Sequence, residues 1–568
     1  MHDRTVGAVN HLSVAVRFVG WFNLTMPARQ SPLLPLKAHR TYRAFWLGFA
    51  LSSFGTMIQS VGAAWLMTSI AGTPGWISLV QASVTLPVML FSIAAGVLAD
   101  VFDRKAIMLS AQLFMFAVSI ALAITTWLGL ITPSLLLAFT FLLGCGTALN
   151  NPAWQASIGD LVPRDQVASA VSLNSIAFNV SRSVGPAIGG FIVATAGVVA
   201  AFALNAVSYV ALLIALLRYR PEKPADTLPR EHLASAMTTG LRYVFMSPRI
   251  EVILLRAFHF GFAAVSIQAL LPLVARDMLG GGPLVFGALL GAFGIGAVGG
   301  GVLGHELRER LSSEWFTRMC SAGIAIAIVV VSLSTFLWLS MIALMLAGAC
   351  WLLSLSYFNI AVQLSTPRWV VGRALAAYQT AAFGGMAMGA ALWGYTADEL
   401  GLSMTLQISA VIMLVGTASG LFLAMPDLAR ENLDPINRWN APKIALDLRE
   451  RSGPIVVQVE YEIRENDLGA FLEAMRARRQ VRRRNGAIQW TLMRDLERPD
   501  YWIETFHIAN WTEYVRHHTR TTFADAEVTE RIRKLHAGAE APAVRRMIIR
   551  PPKQADAPKP LPDQSTIG

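Results

Sequence analysis

Gly96-Val97-Leu98-Ala99-Asp100-Val101-Phe102-Asp103-Arg104-Lys105 has a counterpart about 205 positions later, Gly301-Val302-Leu303-Gly304-His305-Glu306-Leu307-Arg308-Glu309-Arg310. Each is a glycine-led apolar segment that runs into a charged loop. Further matches keep the same order at nearly the same offset. Ile58-Gln59 pairs with Ile267-Gln268, Pro163-Arg164 with Pro367-Arg368, and Gly185, Ala187, Gly190 and Phe191 with Gly389, Ala391, Gly394 and Tyr395. One match alone would be weak, but an ordered set defines an internal repeat. An offset of six spans preserves orientation, so the two halves are related by an axis along the membrane normal. Such repeats place a substrate site near the midplane between the halves and expose it to each side in turn.

Outward from these loops the chain is apolar. It has 568 residues, 54% hydrophobic and 15% charged, against about 25% charged in a soluble protein. A span needs roughly 20 apolar residues. Twelve stretches are expected to qualify, near 45–70, 76–99, 107–129, 134–151, 170–195, 199–217, 252–275, 284–304, 316–334, 338–358, 374–396 and 403–424. They lack the alternation of a barrel and are therefore helices. With a cytoplasmic N-terminus, the inside loops hold Arg40, Arg43, Arg104, Lys105, Arg164, the basic residues from Arg218 to Arg249, Arg308, Arg310, Arg318, Arg368 and Arg373. The outside loops hold Arg276 alone. Basic residues collect on the cytoplasmic side, so both termini are expected inside a cell (inner) membrane. That distribution gives the net charge of +11 a topological meaning and argues against nucleic acid. Cys145, Cys320 and Cys350 have no metal or redox spacing. No metal or cofactor is expected, and no cleavable signal is evident.

The domain plan is an N-terminal extension (1–40), a six-helix half (41–217), a cytoplasmic linker (218–250), a second half (251–425), a polar linker (426–452), a soluble domain (453–550) and a Pro-rich tail (551–568). In the soluble domain Ile455, Val457, Val459, Tyr461 and Ile463 alternate as one strand face. A helix follows from Asp467, with Leu468, Phe471, Leu472 and Met475 buried. Strands are expected at 487–494, 502–508 and 544–549. Asn510 caps a second helix, and a third runs over 525–536. The order β-α-β-β-α-β is a ferredoxin-like α+β arrangement. The basic run Arg476 to Arg484 reads as a solvated helix face, or as a face resting on anionic lipid.

The loop Gly96-x-x-x-Asp100-x-x-Asp103-Arg104-Lys105 resembles the signature between the second and third helices of the major facilitator superfamily. Arg182-x-x-Gly185-Pro186-x-x-Gly189-Gly190 resembles the fifth-helix motif of its antiporters. Asp103 stands where that pattern usually has glycine. Asn150-Asn151-Pro152-Ala153-Trp154-Gln155 is similar to the transmembrane secretion effector branch, which includes the enterobactin exporter. The soluble segment resembles the antibiotic biosynthesis monooxygenase group, whose members pair as dimers. These resemblances imply a secondary active exporter of a small-molecule cargo, coupled to protons, with self-association through the C-terminal domain. The runner-up is a transporter fused to a cofactor-independent monooxygenase or a small-molecule sensor. In that case Trp490, Trp502, His507, Trp511, His517 and His518 would line its pocket.

Candidate transport residues follow from position. Gly96 would let a neighbouring helix approach closely, and the resemblance implies that helix eleven aims its positive N-terminal end at Asp100. The other reading is a topogenic loop. Arg182, mid-span in helix five, costs roughly 2.5–3.5 kcal/mol to insert. Either it faces a cavity as an anion-binding cation, or carbonyls freed by Pro186 satisfy it. Arg256 is near enough to the end of its span to snorkel. Gln59 and Gln268 are cavity candidates because the repeat places them equivalently, and His259 is either packed or functional. No Asp or Glu lies deep in a span, which leaves Asp100, Glu251, Asp277 and His259 to carry a proton. Gly294-x-Gly296-x-x-Gly299 matches a dinucleotide fingerprint, but no strand precedes it, so it reads as close helix packing.

Overall fold

The computed structural model describes residues 33–163, 166–219, 240–367, 369–426, 444–449 and 452–550, with single residues at 433 and 442. Residues 1–32, most of both linkers, Arg164, Arg368 and the Pro-rich tail lie outside the described residues. Proline opens several of the long helices, where its missing N–H leaves no intrahelical bond unmade. The first four are α1 (Arg40–Ile70), α2 (Pro74–Val101), α3 (Arg104–Trp127) and α4 (Pro133–Leu161). The next helical run, Val167–Arg218, has 52 residues. At about 1.5 Å per residue that is roughly 78 Å, more than twice the roughly 30 Å hydrocarbon core. Gly197 breaks it at φ 80° and ψ 171°, a left-handed backbone that glycine adopts without steric cost. The two arms are α5 (167–196) and α6 (198–218). Then come α7 (Pro248–Ala269), α8 (Pro283–Arg310), α9 (Ser313–Leu333), α10 (Leu337–Leu364), α11 (Val371–Leu400) and α12 (Leu402–Ser419).

The repeat extends to backbone detail. Gly401, between α11 and α12, takes φ 82° and ψ 163°, nearly the conformation of Gly197. Helix pairing repeats as well. In the first half α2 packs on α4 and α3 on α4, and in the second half α8 packs on α10 and α9 on α10. Across the halves α5 meets α8, and α11 meets α2. The count of spans differs from the sequence expectation. Among the described residues ten helices, rather than twelve, are long and apolar enough to cross a membrane, with Ser169–Arg218 taken as one of them and α11 not among them. Gln379, Thr380, Gly384, Gly385 and Gly389 dilute the apolar character of α11. Those small and polar residues are where other helices press against it.

After the last long helix the chain forms a four-stranded antiparallel sheet: β1 (Ile455–Glu462), β2 (Gln489–Arg494), β3 (Tyr501–Ile508) and β4 (Val544–Ile548), in the spatial order β2-β3-β1-β4. Its helices are α13 (Leu468–Arg484), α14 (Trp511–Thr519) and α15 (Phe523–Leu535). Ile455, Val457, Val459 and Tyr461 turn to one buried face, as strand alternation requires. Phe471 and Met475 of α13 close over that face, with Leu472 partly buried beside them. Asn510 caps α14 by accepting from the Glu513 N–H at 2.9 Å.

The basic run of α13 is not one solvated face. Arg478 and Arg482, one turn apart, point inward and are each 8% exposed. They flank Glu504, which is fully buried, at 3.5 and 3.2 Å. Arg484 pairs with Asp525 at 2.5 Å, while Arg476, Arg479 and Arg483 remain exposed. Burial alone would push the Glu504 carboxyl up, but Arg482 and Arg478 overcome it and hold the group at about 2.

Candidate functional site

Glycine and other small residues let the two halves touch along two seams. On the first, Gly190 of α5 meets Gly287 of α8. A Cβ on either would come within 2.8 Å of the other's Cα. Farther along the same faces Ala187 meets Gly291, and Ser183 donates to the Gly294 carbonyl at 2.9 Å. On the second seam Gly394 of α11 packs on Ser78 of α2, the Gly75 N–H donates to Asp398 Oδ2 at 3.0 Å, and Ser92 and Thr380 share a hydrogen bond of 3.1 Å. Two more contacts seal that end. Arg276 donates to the Thr68 carbonyl at 2.8 Å, and the Trp65 and Phe286 rings lie 6.2 Å apart.

Toward the Asp103 end the first seam parts, and the second, held as far as Ser92 and the Ala376 carbonyl at 3.5 Å, ends before Gly96 and Gly372. The α8 stripe Gly287-Gly291-Gly294 continues to Val298, which is exposed. The α5 stripe continues from Ser183 back to Asn179, which is half-buried, and Ile176, which is exposed. Gly299, Gly96 and Gly372 have open space where a Cβ would stand. The result is a crevice closed at the Gly75 end and open at the Asp103 end.

Arg182 sits where the first seam opens. It is half-buried, and its guanidinium carbon lies 5.8 Å from the centre of the Phe293 ring on α8. Among the described residues no carboxylate is within ion-pairing distance of it. A guanidinium at the apex of a crevice, against one aromatic face, has donors left over for an anionic or carbonyl-bearing molecule.

The remaining candidates are placed differently. Gln59 is buried inside the first half, where its carbonyl accepts from Asn205 and Ser119. Asn205 in turn bonds Ser119 at 3.2 Å and Tyr209 at 3.3 Å. This is an interhelical polar cluster, and Gln59 does not line the crevice. Gln268, its repeat partner, is half-buried near the end of α7, so the repeat does not carry the environment over. His259 packs between α7 and α12 against Gly416, where an added methyl would overlap its ring. Arg256 does not snorkel. It is 5% exposed and paired to Glu314 at 3.3 Å, and Glu314 also accepts from Arg318 and from the Met425 N–H.

The signature loop binds its own half together. Asp103 caps α3 by accepting from the Lys105 N–H at 3.0 Å. Arg104 reaches Asp160 at 2.9 Å and the Ala156 carbonyl at 3.0 Å, and Lys105 donates to the Tyr219 carbonyl at 2.5 Å. Gly96 makes no close helix approach here, because both it and Gly372 face open space. The side chain of Asp100 lies outside the described residues. Gly185 packs α5 on α1 through Met57, while the Pro186 carbonyl lies against Gly287. The glycine triplet of α8 divides its work: Gly294 meets Ser183 of α5, Gly296 meets Met345 of α10, and Gly299 meets nothing. In the C-terminal domain the residues named for a pocket scatter. Trp490 donates to Glu504 at 3.0 Å, Trp502 meets Phe471 edge to face, Trp511 stacks on Tyr514, His507 pairs across to Gln489, and His517 contacts Arg482 at 3.0 Å. Of that set His518 lines a cavity between the sheet and helices of this domain.

Comparison with known proteins gives this geometry a context. Residues 30–553, and so both the helical part and the C-terminal domain, match the family described as transmembrane secretion effector. Macrolide efflux protein A of Streptococcus pyogenes is 25% identical over 264 residues, 46% of this chain and 65% of that protein's length. The enterobactin exporter of Escherichia coli is 28% identical over 412 residues, 70% of this chain and 95% of the exporter. A bacterial homologue of the human lysosomal transporter Spinster, inward-facing and unoccupied, superposes with a TM-score of 0.52 at 14% identity, covering 68% of this chain and 95% of that one. A nucleoside transporter superposes with a TM-score of 0.57 at 10% identity, covering 68% and 99%. At such identities the likeness is one of fold.

Proposed function

The chain belongs to the transmembrane secretion effector family of the major facilitator superfamily, and from that premise we propose that it exports a small organic molecule by alternating access. The observation that carries this reading is the crevice, sealed at the Gly75 end and open at the Asp103 end, with Arg182 at its apex. Loop charge assigns the Asp103 end to the cytoplasm, so the cargo enters from inside. Counting α5, α6 and α11 separately gives twelve spans, with both termini cytoplasmic. Relatives that export a siderophore and a macrolide support a cargo of similar bulk, rich in oxygen acceptors, for which a guanidinium is a suitable donor. The Asp103 loop fastens α3, α4 and α6, so the first half can turn as one body.

Export is proposed to be coupled to protons. Asp277 is held by Arg276 at 2.6 Å and His259 is enclosed beside Gly416, which leaves Asp100 and Glu251 as carriers. The C-terminal sheet order is that expected of a ferredoxin-like domain, and its part is binding, not catalysis. The test compares the small molecules retained by cells lacking the protein, by cells carrying it, and by cells carrying Arg182→Ala or Arg182→Lys. Retention should fall only with the functional protein, and the lysine variant should keep more activity than the alanine one. Identical retention in all four would reject the reading.

A further inference from the structure

The C-terminal domain encloses a cavity of about 250 Å³ between its sheet and its helices. Ligand pockets usually run from about 300 to 1,000 Å³, so this one suits a molecule of one or two rings. Its apolar wall is Val457, Val459, Phe506, Ile532 and Val544. Its polar lining is unusual in sign. Arg478, Arg482, Arg533 and Arg546 all face it, and no Asp or Glu is among the lining residues. The buried carboxylate of Glu504 sits behind the wall and engages Arg478 and Arg482. Arg478 and Arg482 share that one carboxylate, and Arg533 and Arg546 add two further positive charges at the exposed rim, so the lining carries a net positive charge.

The arginines are also arranged in depth. Arg482 lies over the Phe506 ring at 4.1 Å, and Arg546 donates to the Tyr514 hydroxyl at 2.6 Å. Arg533 and Arg546, both exposed, stand toward the mouth. His518 reports the same field from the wall: burial, then Arg482, Arg546 and Arg478, push it down to about 3. It is neutral at ordinary pH and adds no opposing charge.

The geometry points to a binding site in this cavity for a small organic anion, a carboxylate carried on an apolar ring. The carboxylate meets the mouth arginines in forked hydrogen bonds, and the ring fills the space against the valines and Phe506. A cation is repelled, and a neutral ring leaves the guanidiniums unmatched.

The probes are benzoate, benzyl alcohol and benzylamine, titrated calorimetrically into the full chain in lipid nanodiscs. Benzoate should bind about ten-fold tighter than benzyl alcohol, a difference of about 1.4 kcal/mol, and benzylamine should not bind. Arg533→Gln with Arg546→Gln should weaken benzoate about ten-fold or more with an unchanged melting profile. Arg533→Gln alone, at an exposed position, gives a smaller loss in the same direction and serves if the pair disturbs the fold. Arg182→Ala should leave benzoate binding intact, which separates this cavity from the transport crevice. Equal binding of benzyl alcohol, no benzoate binding, unchanged affinity in the arginine variants, or loss in Arg182→Ala would each overturn the assignment.

Discussion

Gly287→Ala tests the seal between the halves. A Cβ at that position would lie 2.7 Å from the Pro186 carbonyl oxygen and 2.8 Å from the Gly190 Cα. Both are backbone atoms that cannot swing aside, so α5 and α8 would have to separate by several tenths of an ångström. Overpacking of this kind costs about 1–3 kcal/mol, and it acts only on the arrangement in which the outer seam is shut. A two-state ratio then moves about 5–150-fold toward the arrangement open to the outside. Ser78→Cys supplies the reporter, since Ser78 is fully buried beneath Gly394 on the second outer seam. In a background without Cys145, Cys320 and Cys350, an impermeant maleimide is added from outside and the labelling rate is measured. Gly287→Ala should raise that rate about five-fold or more. An unchanged rate in a protein of normal melting temperature would refute the view that this glycine pair holds the outer side shut.

Gly416→Ala should lower stability by about 1–3 kcal/mol through collision with His259, seen as a lower melting temperature. Adding His259→Ala should recover most of that loss, and a double-mutant cycle read by thermal unfolding checks the coupling. Glu504→Gln removes the counter-charge of Arg478 and Arg482 and should destabilise the C-terminal domain by about 3–5 kcal/mol, followed through the fluorescence of Trp490, whose indole contacts Glu504. Burial, then Arg482, holds His517 well below its usual range, and burial holds His518 at about 3. The unfolded chain therefore binds more protons than the folded one below about pH 6.5. Domain stability should fall as pH drops from about 6.5 toward 3, and a melting temperature that stays flat from pH 7 to 4 would contradict this.

Features that repeat along the chain were legible, because a repeat leaves the same small residues at the same offset. Gly185 and Gly190 against Gly389 and Gly394 marked the helices that carry both seams. The matching turns at Gly197 and Gly401 were equally present in the sequence, yet an isolated glycine does not announce a positive φ. Strand faces were legible for a similar reason: alternation at Ile455 to Tyr461 is local. Partnerships across long separations were not. Asn205, 146 positions from Gln59, turned an expected cavity residue into part of a buried cluster. Arg478 and Arg482 looked solvated because arginine is seldom buried, and their spacing of four became meaningful once Glu504 was found behind them. Gly96 misled in the opposite way, since a small residue permits a close approach without requiring one.

Among the described residues the C-terminal domain is fastened to the membrane part through its second half. Arg242 donates to the Ala487 carbonyl at 3.2 Å, Gln480 donates to the Met246 carbonyl at 3.1 Å, Arg484 covers the Tyr243 ring and Arg520 covers the Trp369 ring. Those partners flank α7 and α11, in the second half. The domain thus behaves like a pointer fixed to one jaw of a hinge. A dye at Leu496, almost fully exposed on the domain, and another at Phe102 on the opposite jaw would change separation with every turnover. A pair between Leu496 and Arg310 would stay constant. The appended domain would in this way make any working stroke of the membrane part visible from the water on the Asp103 side, without any label placed inside the bilayer.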